Sequence, residues 1–260
     1  MDTMIRISFA GAVVTTFFAA SALYASWKNE ATPLELSGTE GFALVELFTS
    51  EGCSSCPSAD RLLADLDAKA RDERRPVYVL SFHVDYWNRL GWRDPYSQAD
   101  YSARQSAYAS KFGSFGVYTP QMIVNGRTEF VGSDRARAVR EIDAALKKRV
   151  PVSLRITAKE SAASGIEIHY TVTGLELTAL LHVALVDDER VVPVSSGENG
   201  GRTLRHVNVV RAFKTVTVDR NATGTVTIER PATGRVPGRI IAYLQDPAGY
   251  EIEAAAAAEI

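Results

Sequence analysis

Hydrophobic and polar positions alternate with different periods in the two halves of the chain. Phe42 to Phe48 reads FALVELF, an apolar run of strand length interrupted only by Glu46. It ends in the polar turn Thr49-Ser50-Glu51-Gly52, after which Leu62, Leu63 and Leu66 recur at helical spacing. Pro57 sits where a first helical turn tolerates a missing N–H. Val77 to Val84 reads as a second strand, so strand, helix and strand predict a right-handed parallel βαβ unit. Residues 85–96 are rich in aromatics but have neither period, which predicts an ordered loop packed on the domain. Tyr101, Gln105, Tyr108 and Phe112 then form one helical stripe, of the kind that fills a core, with Ser97 as N-cap and Gly113 as terminator. Gln121 to Val124, the two-residue hairpin signal Asn125-Gly126, and Arg127 to Val131 predict a hairpin. A last helix follows, with Ala138, Ile142, Ala145 and Leu146 as its apolar face.

Val150-Pro151 marks a boundary. Beyond it the period is two, as in Val152 to Ala158 and Ile166 to Val172, and short strands with polar turns predict an all-β, sandwich-like module. The tail Glu251–Ile260 is alanine-rich, which favours a helix on propensity. A strand is expected instead, because Arg239–Gln245 and the turn residues Asp246-Pro247-Ala248-Gly249 set up a hairpin. The expected organisation is an export segment over 1–25, an α/β domain over 40–149 with a helical and aromatic insertion, and an all-β sandwich-like domain over 151–260.

Met1 to Ala25 has Arg6 followed by an uncharged stretch and small residues, and Ala20-Ser21-Ala22 suits signal cleavage. The rival is an uncleaved membrane anchor. Either way the rest of the chain is expected outside the cytoplasm, periplasmic or secreted. A length of 260 residues makes two domains the better prior, and a net charge of -2 without a basic block removes the electrostatic basis for nucleic-acid binding.

The only cysteines are Cys53 and Cys56. A C-x-x-C pair can close within one turn, and Cys53 at or before a helix N-terminus is placed where N–H groups and the dipole favour the thiolate. Three readings stay open: a redox pair, a structural disulfide, and zinc. The last lacks a second cysteine pair, and His83, His169, His182 and His206 have no metal-ligand spacing. No metal and no cofactor are expected. His83 near the end of the second strand lies where sites in open α/β sheets collect.

Strand, C-x-x-C at a helix start, strand, Thr119-Pro120, hairpin and helix resemble the thioredoxin fold over residues 40–148. That resemblance implies a cis Pro120 facing the disulfide, a peptide-receiving surface around Thr119 and Pro120, and a proton acceptor at Glu46. The chain departs from thioredoxin in having Gly52 before the first cysteine and Ser54-Ser55 between the two. The segments ELFTSEGCSSCPSAD, FHVDYWNRLGWRDPYS, GVYTPQMIVNG and SGENGGRTLRH look like the exported family called domain of unknown function 1223, over nearly all the chain after the export segment.

The expected activity is thiol-disulfide exchange on protein or small-molecule thiols and disulfides, with Cys53 attacking, Cys56 resolving, and Thr119, His83 and Trp87 meeting the substrate. The alternative is a non-catalytic envelope binding or assembly module stapled by its disulfide. The Gly-rich loop Ser196 to Thr203 either reaches back to the cysteines or is a plain surface hairpin.

Overall fold

A computed structural model describes residue 1 and residues 41–161, 165–231 and 238–260. The expected export segment and the loop before the first strand lie outside them. Strand β1 (Ala43–Thr49) leads to helix α1 (Cys56–Asp72) and strand β2 (Val77–His83). A short 3-10 turn, Asn88–Leu90, lies in the aromatic loop before helix α2 (Ala99–Phe112). Then come β3 (Gln121–Val124), β4 (Thr128–Val131) and α3 (Arg135–Lys147). The second half holds β5 (Ser153–Glu160), β6 (Gly165–Thr173), β7 (Ala179–Pro193), β8 (Thr203–Val218), β9 (Thr223–Glu229), β10 (Arg239–Gln245) and β11 (Ile252–Glu259).

The expected α/β thioredoxin-like domain with a helical and aromatic insertion, followed by an all-β sandwich-like domain, is not what forms. The described chain is mostly strand with three α-helices, and one mixed eight-stranded sheet, in the order β11-β10-β7-β8-β2-β1-β3-β4, runs through both halves. The joint is a parallel pairing of β2 with β8 at Ser81 and Val209. An unpaired edge of β2 would expose a row of N–H and C=O groups, and β8 covers it. Period-two patterning identifies β8 as a strand but carries no information about which edge it joins.

Strand β1 is buried throughout because both its faces are covered. Ala43, Val45 and Leu47 meet Leu62, Leu63, Ala138 and Ile142 from α1 and α3. Leu44 and Phe48 point the other way, into a core with Phe82, Tyr101 and Tyr108. Each such fully buried large side chain contributes about 1.5–3 kcal/mol. A separate three-stranded sheet, β5-β6-β9, packs Leu154, Ile168 and Val226 against Leu181, Leu185 and Ile240.

Two local expectations shift. Helix α2 is N-capped by Gln98 in place of Ser97, and it closes at Gly113 in the left-handed region. Strands β3 and β4 pair Val124 with Thr128, leaving a three-residue turn in place of two. Asn125 in that turn accepts from Leu44 N at 2.6 Å and donates to the Phe42 carbonyl at 3.0 Å, which fastens the turn to the start of β1. The alanine-rich tail forms a strand, paired antiparallel with β10 from Ile252–Gln245 to Glu259–Arg239. Ladder bonds on an existing sheet outweigh the helix propensity of a short segment.

Candidate functional site

Cys53 and Cys56 are joined by a disulfide immediately before and at the start of α1. Pro57 lies in the first helical turn, and Ser55 is the N-cap without capping by its side chain. Ser54 and Ser55 are exposed, yet both cysteines have 0% exposure. What covers them comes from across the chain. The Thr119 carbonyl oxygen is 3.9 Å from Cys53 Sγ, and the peptide into Pro120 is cis. Trp87 Nε1 donates to Thr119 Oγ1 at 2.8 Å, and a Cβ at Gly52 would come within 3.2 Å of Trp87 Cβ. Gly52 is thus the residue that lets the aromatic loop close on the cysteine turn.

The third cover is the loop joining β7 to β8, which does reach back. Asn199, fully buried, donates from Nδ2 to the carbonyls of Glu51 at 2.8 Å and Cys53 at 2.9 Å. Glu198 accepts from Ser54 N at 2.9 Å, and its hydrogen bonds with Ser54 lower its pKa. Ser196 Oγ donates to the Gly91 carbonyl at 2.6 Å, and Gly197, at a φ of 73°, sits where a Cβ would be 3.0 Å from Trp92 Cβ. Between α1 and this hairpin runs a groove of about 510 Å³ bordered by Ser54, Ser55, Ser58, Arg61, Arg202 and Thr203.

Beneath the cysteine turn lies a buried ionisable cluster: Glu51, Asp60, His83, Asp94 and His206. Asp60 follows Cys56 by one helical turn, which places the two on the same face of α1. Asp60 Oδ1 accepts from Thr49 Oγ1 at 2.9 Å, and its Oδ2 is 3.6 Å from His206 Nδ1. His206 Nε2 is 3.6 Å from Glu51 Oε1, while Trp92 Nε1 donates to Glu51 Oε2 at 2.7 Å. Burial disfavours a charge on His206, but Asp60 and Glu51 outweigh it and lift its pKa to about 10. His83 Nδ1 is 2.7 Å from Asp94 Oδ2, and its ring centre is 4.7 Å from that of His206. Although burial raises it, the Asp94 pKa ends below its usual value because of His83 and the backbone N–H groups of Glu51 and Tyr96.

The structure therefore gathers Cys53, Cys56, Thr119, Pro120 and Trp87, and brings His83 beneath them. His83 is wholly buried and meets Asp94 and His206 in place of a substrate. Glu46 is not in the group. It lies on the face of β1 opposite α1, where it accepts from Arg104 Nε at 2.7 Å and from the hydroxyls of Tyr108 and Tyr243. Alternation along β1 puts Glu46 with Leu44 and Phe48, so a role as proton acceptor for the cysteines has no geometric support. Sequence reasoning assigned no role at the cysteine site to Glu51, Asp60 or His206, whereas Asn199 lies in the Gly-rich loop for which reaching back to the cysteines was one of two readings. One signal was present: His206 shares the inward face of its strand with Leu204 and Asn208, in alternation with the exposed Arg205.

No curated protein matches the sequence significantly. A crystallised protein of Agrobacterium tumefaciens is 29% identical with a TM-score of 0.64, covering 84% of this chain and 94% of that one. HBP35 of Porphyromonas gingivalis, at 14% identity and a TM-score of 0.59, covers 84% of this chain and 74% of its own, a likeness of fold alone. The family described as protein of unknown function (DUF1223) matches residues 44–245, and the chain belongs to that family.

Proposed function

We propose that the protein is an exported thiol-disulfide oxidoreductase that exchanges the Cys53–Cys56 disulfide with thiols or disulfides of proteins or small molecules. The observation that carries this reading is the disulfide at the head of α1, bordered by an open groove and underlain by buried ionisable groups. A thiolate at a helix N-terminus is favoured by the unpaired N–H groups and the dipole, so Cys53 is the attacking sulfur and Cys56 the resolving one. Thr119, Pro120 and Trp87 form the wall against which an extended substrate would lie. Export rests on the N-terminal pattern and on the persistence of disulfides outside the cytoplasm.

Insulin reduction or dithiol oxidation by the protein, lost in Cys53→Ser, is the expected result. Activity that survives this substitution would sink the reading.

A second reading has its own support. Both cysteines are fully buried, which suits a disulfide that only staples a binding or assembly module. The reduction potential separates the two: a working couple falls between about -270 and -120 mV, and a structural staple below about -300 mV.

A further inference from the structure

The buried cluster under α1 is expensive to maintain unless it does something beyond packing. Glu51 Oε1, Asp60 Oδ2 and both ring nitrogens of His206 have no hydrogen-bond partner among the described residues. A buried polar atom left without a hydrogen-bond partner keeps its desolvation cost, so a purely structural site would be better filled with apolar side chains. Among the described residues, no three His, Cys, Asp or Glu side chains are disposed to hold a metal ion. The groups present can instead hold and pass protons.

Position says which sulfur they serve. Asp60 is one helical turn below Cys56 on the buried face of α1, and it also lines a groove of about 460 Å³ with Pro57, Arg61 and Leu204. It therefore has Cys56 on one side and a route to solvent on the other. His206, from β8 in the other half of the chain, is held at 3.6 Å from Asp60 and 3.6 Å from Glu51.

We propose that Asp60 and His206 form the proton-holding pair of Cys56, with Glu51 keeping the imidazole in place. The inference rests on the redox reading above. A substrate thiolate attacks Cys53 Sγ, the Cys53–Cys56 bond breaks, and its electron pair leaves on Cys56 Sγ. Cys56 takes a proton that His206 supplies through Asp60, and the pair reloads from solvent through Asp60, the member that lines the groove. The second thiolate of the substrate attacks the substrate sulfur in the mixed disulfide and releases Cys53 as a thiolate. A dithiol is thereby oxidised and the protein disulfide reduced, and the reverse reaction returns the proton to the pair. The groups facing His206 are Glu51, Asp60 and the His83 ring, with Asp94 behind His83. The burial and the two carboxylates that set the His206 pKa also make its charge sensitive to any new ion beside Asp60.

The test reads this coupling without turnover. The His206 imidazole is titrated by NMR in the oxidised and the reduced protein. At the pH where His206 loses its proton, an ordinary thiol is already ionised, so the thiolate should hold the proton longer and move the His206 midpoint upward on reduction. Superimposable titrations in the two states would overturn the proposal. The second measurement is the Cys56 thiol titration in reduced Asp60→Asn. Removing the nearby anion should favour the thiolate and raise its fraction at a fixed pH by about threefold or more. A Cys56 titration unchanged by this isosteric substitution overturns the proposal, and if the variant does not fold, the wild-type pair of titrations decides alone. Absence of insulin reduction with the coupling intact would remove the redox reading while leaving the linkage standing, so the two failures are distinct.

Discussion

Arg104 Nε donates to Glu46 Oε1 at 2.7 Å, and the two side chains join α2 to the central strand β1 with almost no access to water. The guanidinium lies over the rings of Phe82, Tyr108, Phe213 and Tyr243, and it also donates to Gln245 Oε1. Burial opposes its charge, yet Glu46 holds the Arg104 pKa well above the usual value. Glu46→Gln should leave a buried cation without its anion and lower the unfolding free energy by about 3–5 kcal/mol. Urea unfolding measures this. A change below about 1 kcal/mol would show that the pair is dispensable. Insulin reduction by folded Glu46→Gln should equal wild type, because Glu46 lies on the face of the sheet away from the cysteines.

Asn199 ties the β7–β8 loop to the carbonyls of Glu51 and Cys53. Asn199→Ala removes both donors, at about 1–3 kcal/mol for the acceptors left unpaired, and loosens the cover over the disulfide. The rate of reduction by dithiothreitol should rise severalfold while the fold persists. An unchanged rate would mean that this loop does not limit access.

Two histidines set opposite limbs of the stability curve. Burial, aided by the Arg104 charge, pushes His182 down to about 3. The unfolded chain protonates this group below about 6.5, so the stability it contributes is present above that pH and is lost as pH falls towards 3. His206 keeps its proton up to about 10 in the fold, so its contribution is full below about 6.5 and is lost as pH rises towards 10. The contribution of these two groups to the unfolding free energy, measured against pH, should therefore fall on either side of about pH 6.5. His182→Gln should flatten the limb between about pH 6 and 4.5 and leave the alkaline limb alone. An acid limb identical to that of wild type would contradict the assignment.

Gly126 has a φ of 64°, and a Cβ there would lie 1.9 Å from the Tyr250 carbonyl oxygen. Backbone cannot yield as a flexible side chain can. Gly126→Ala should cost at least about 1–2 kcal/mol from the left-handed conformation alone, with the clash added to it. A fall in Tm checks this, and an unchanged Tm would show that the two turns can move apart.

Most strands and helices were legible because they depend on near neighbours. FALVELF is a strand by its own pattern, the leucines after Pro57 make a helix by theirs, and even the alanine-rich tail was readable from the turn before it. The partnerships were not legible. Nothing local in Leu204-Arg205-His206 says that this histidine will sit against Glu51 and Asp60, and nothing in Val77–Val84 says that its edge will be closed by β8. Glu46 illustrates the same limit. Its place on one face with Leu44 and Phe48 was visible, but the side of the sheet that α1 would cover was not, so its pairing with Arg104 was missed.

The seam between β2 and β8 also has a meaning in time. A chain delivered from its N-terminal end presents Cys53, Cys56, Glu51 and Asp60 long before His206 and Asn199 arrive. In that interval the carboxylates would stay hydrated and the cysteine turn would lack its cover from the second half. An oxidant would reach the thiols with least hindrance in the nascent protein, and docking of β8 would then shut the site behind it. The order of synthesis thus makes the second half a late-arriving seal on chemistry laid down in the first.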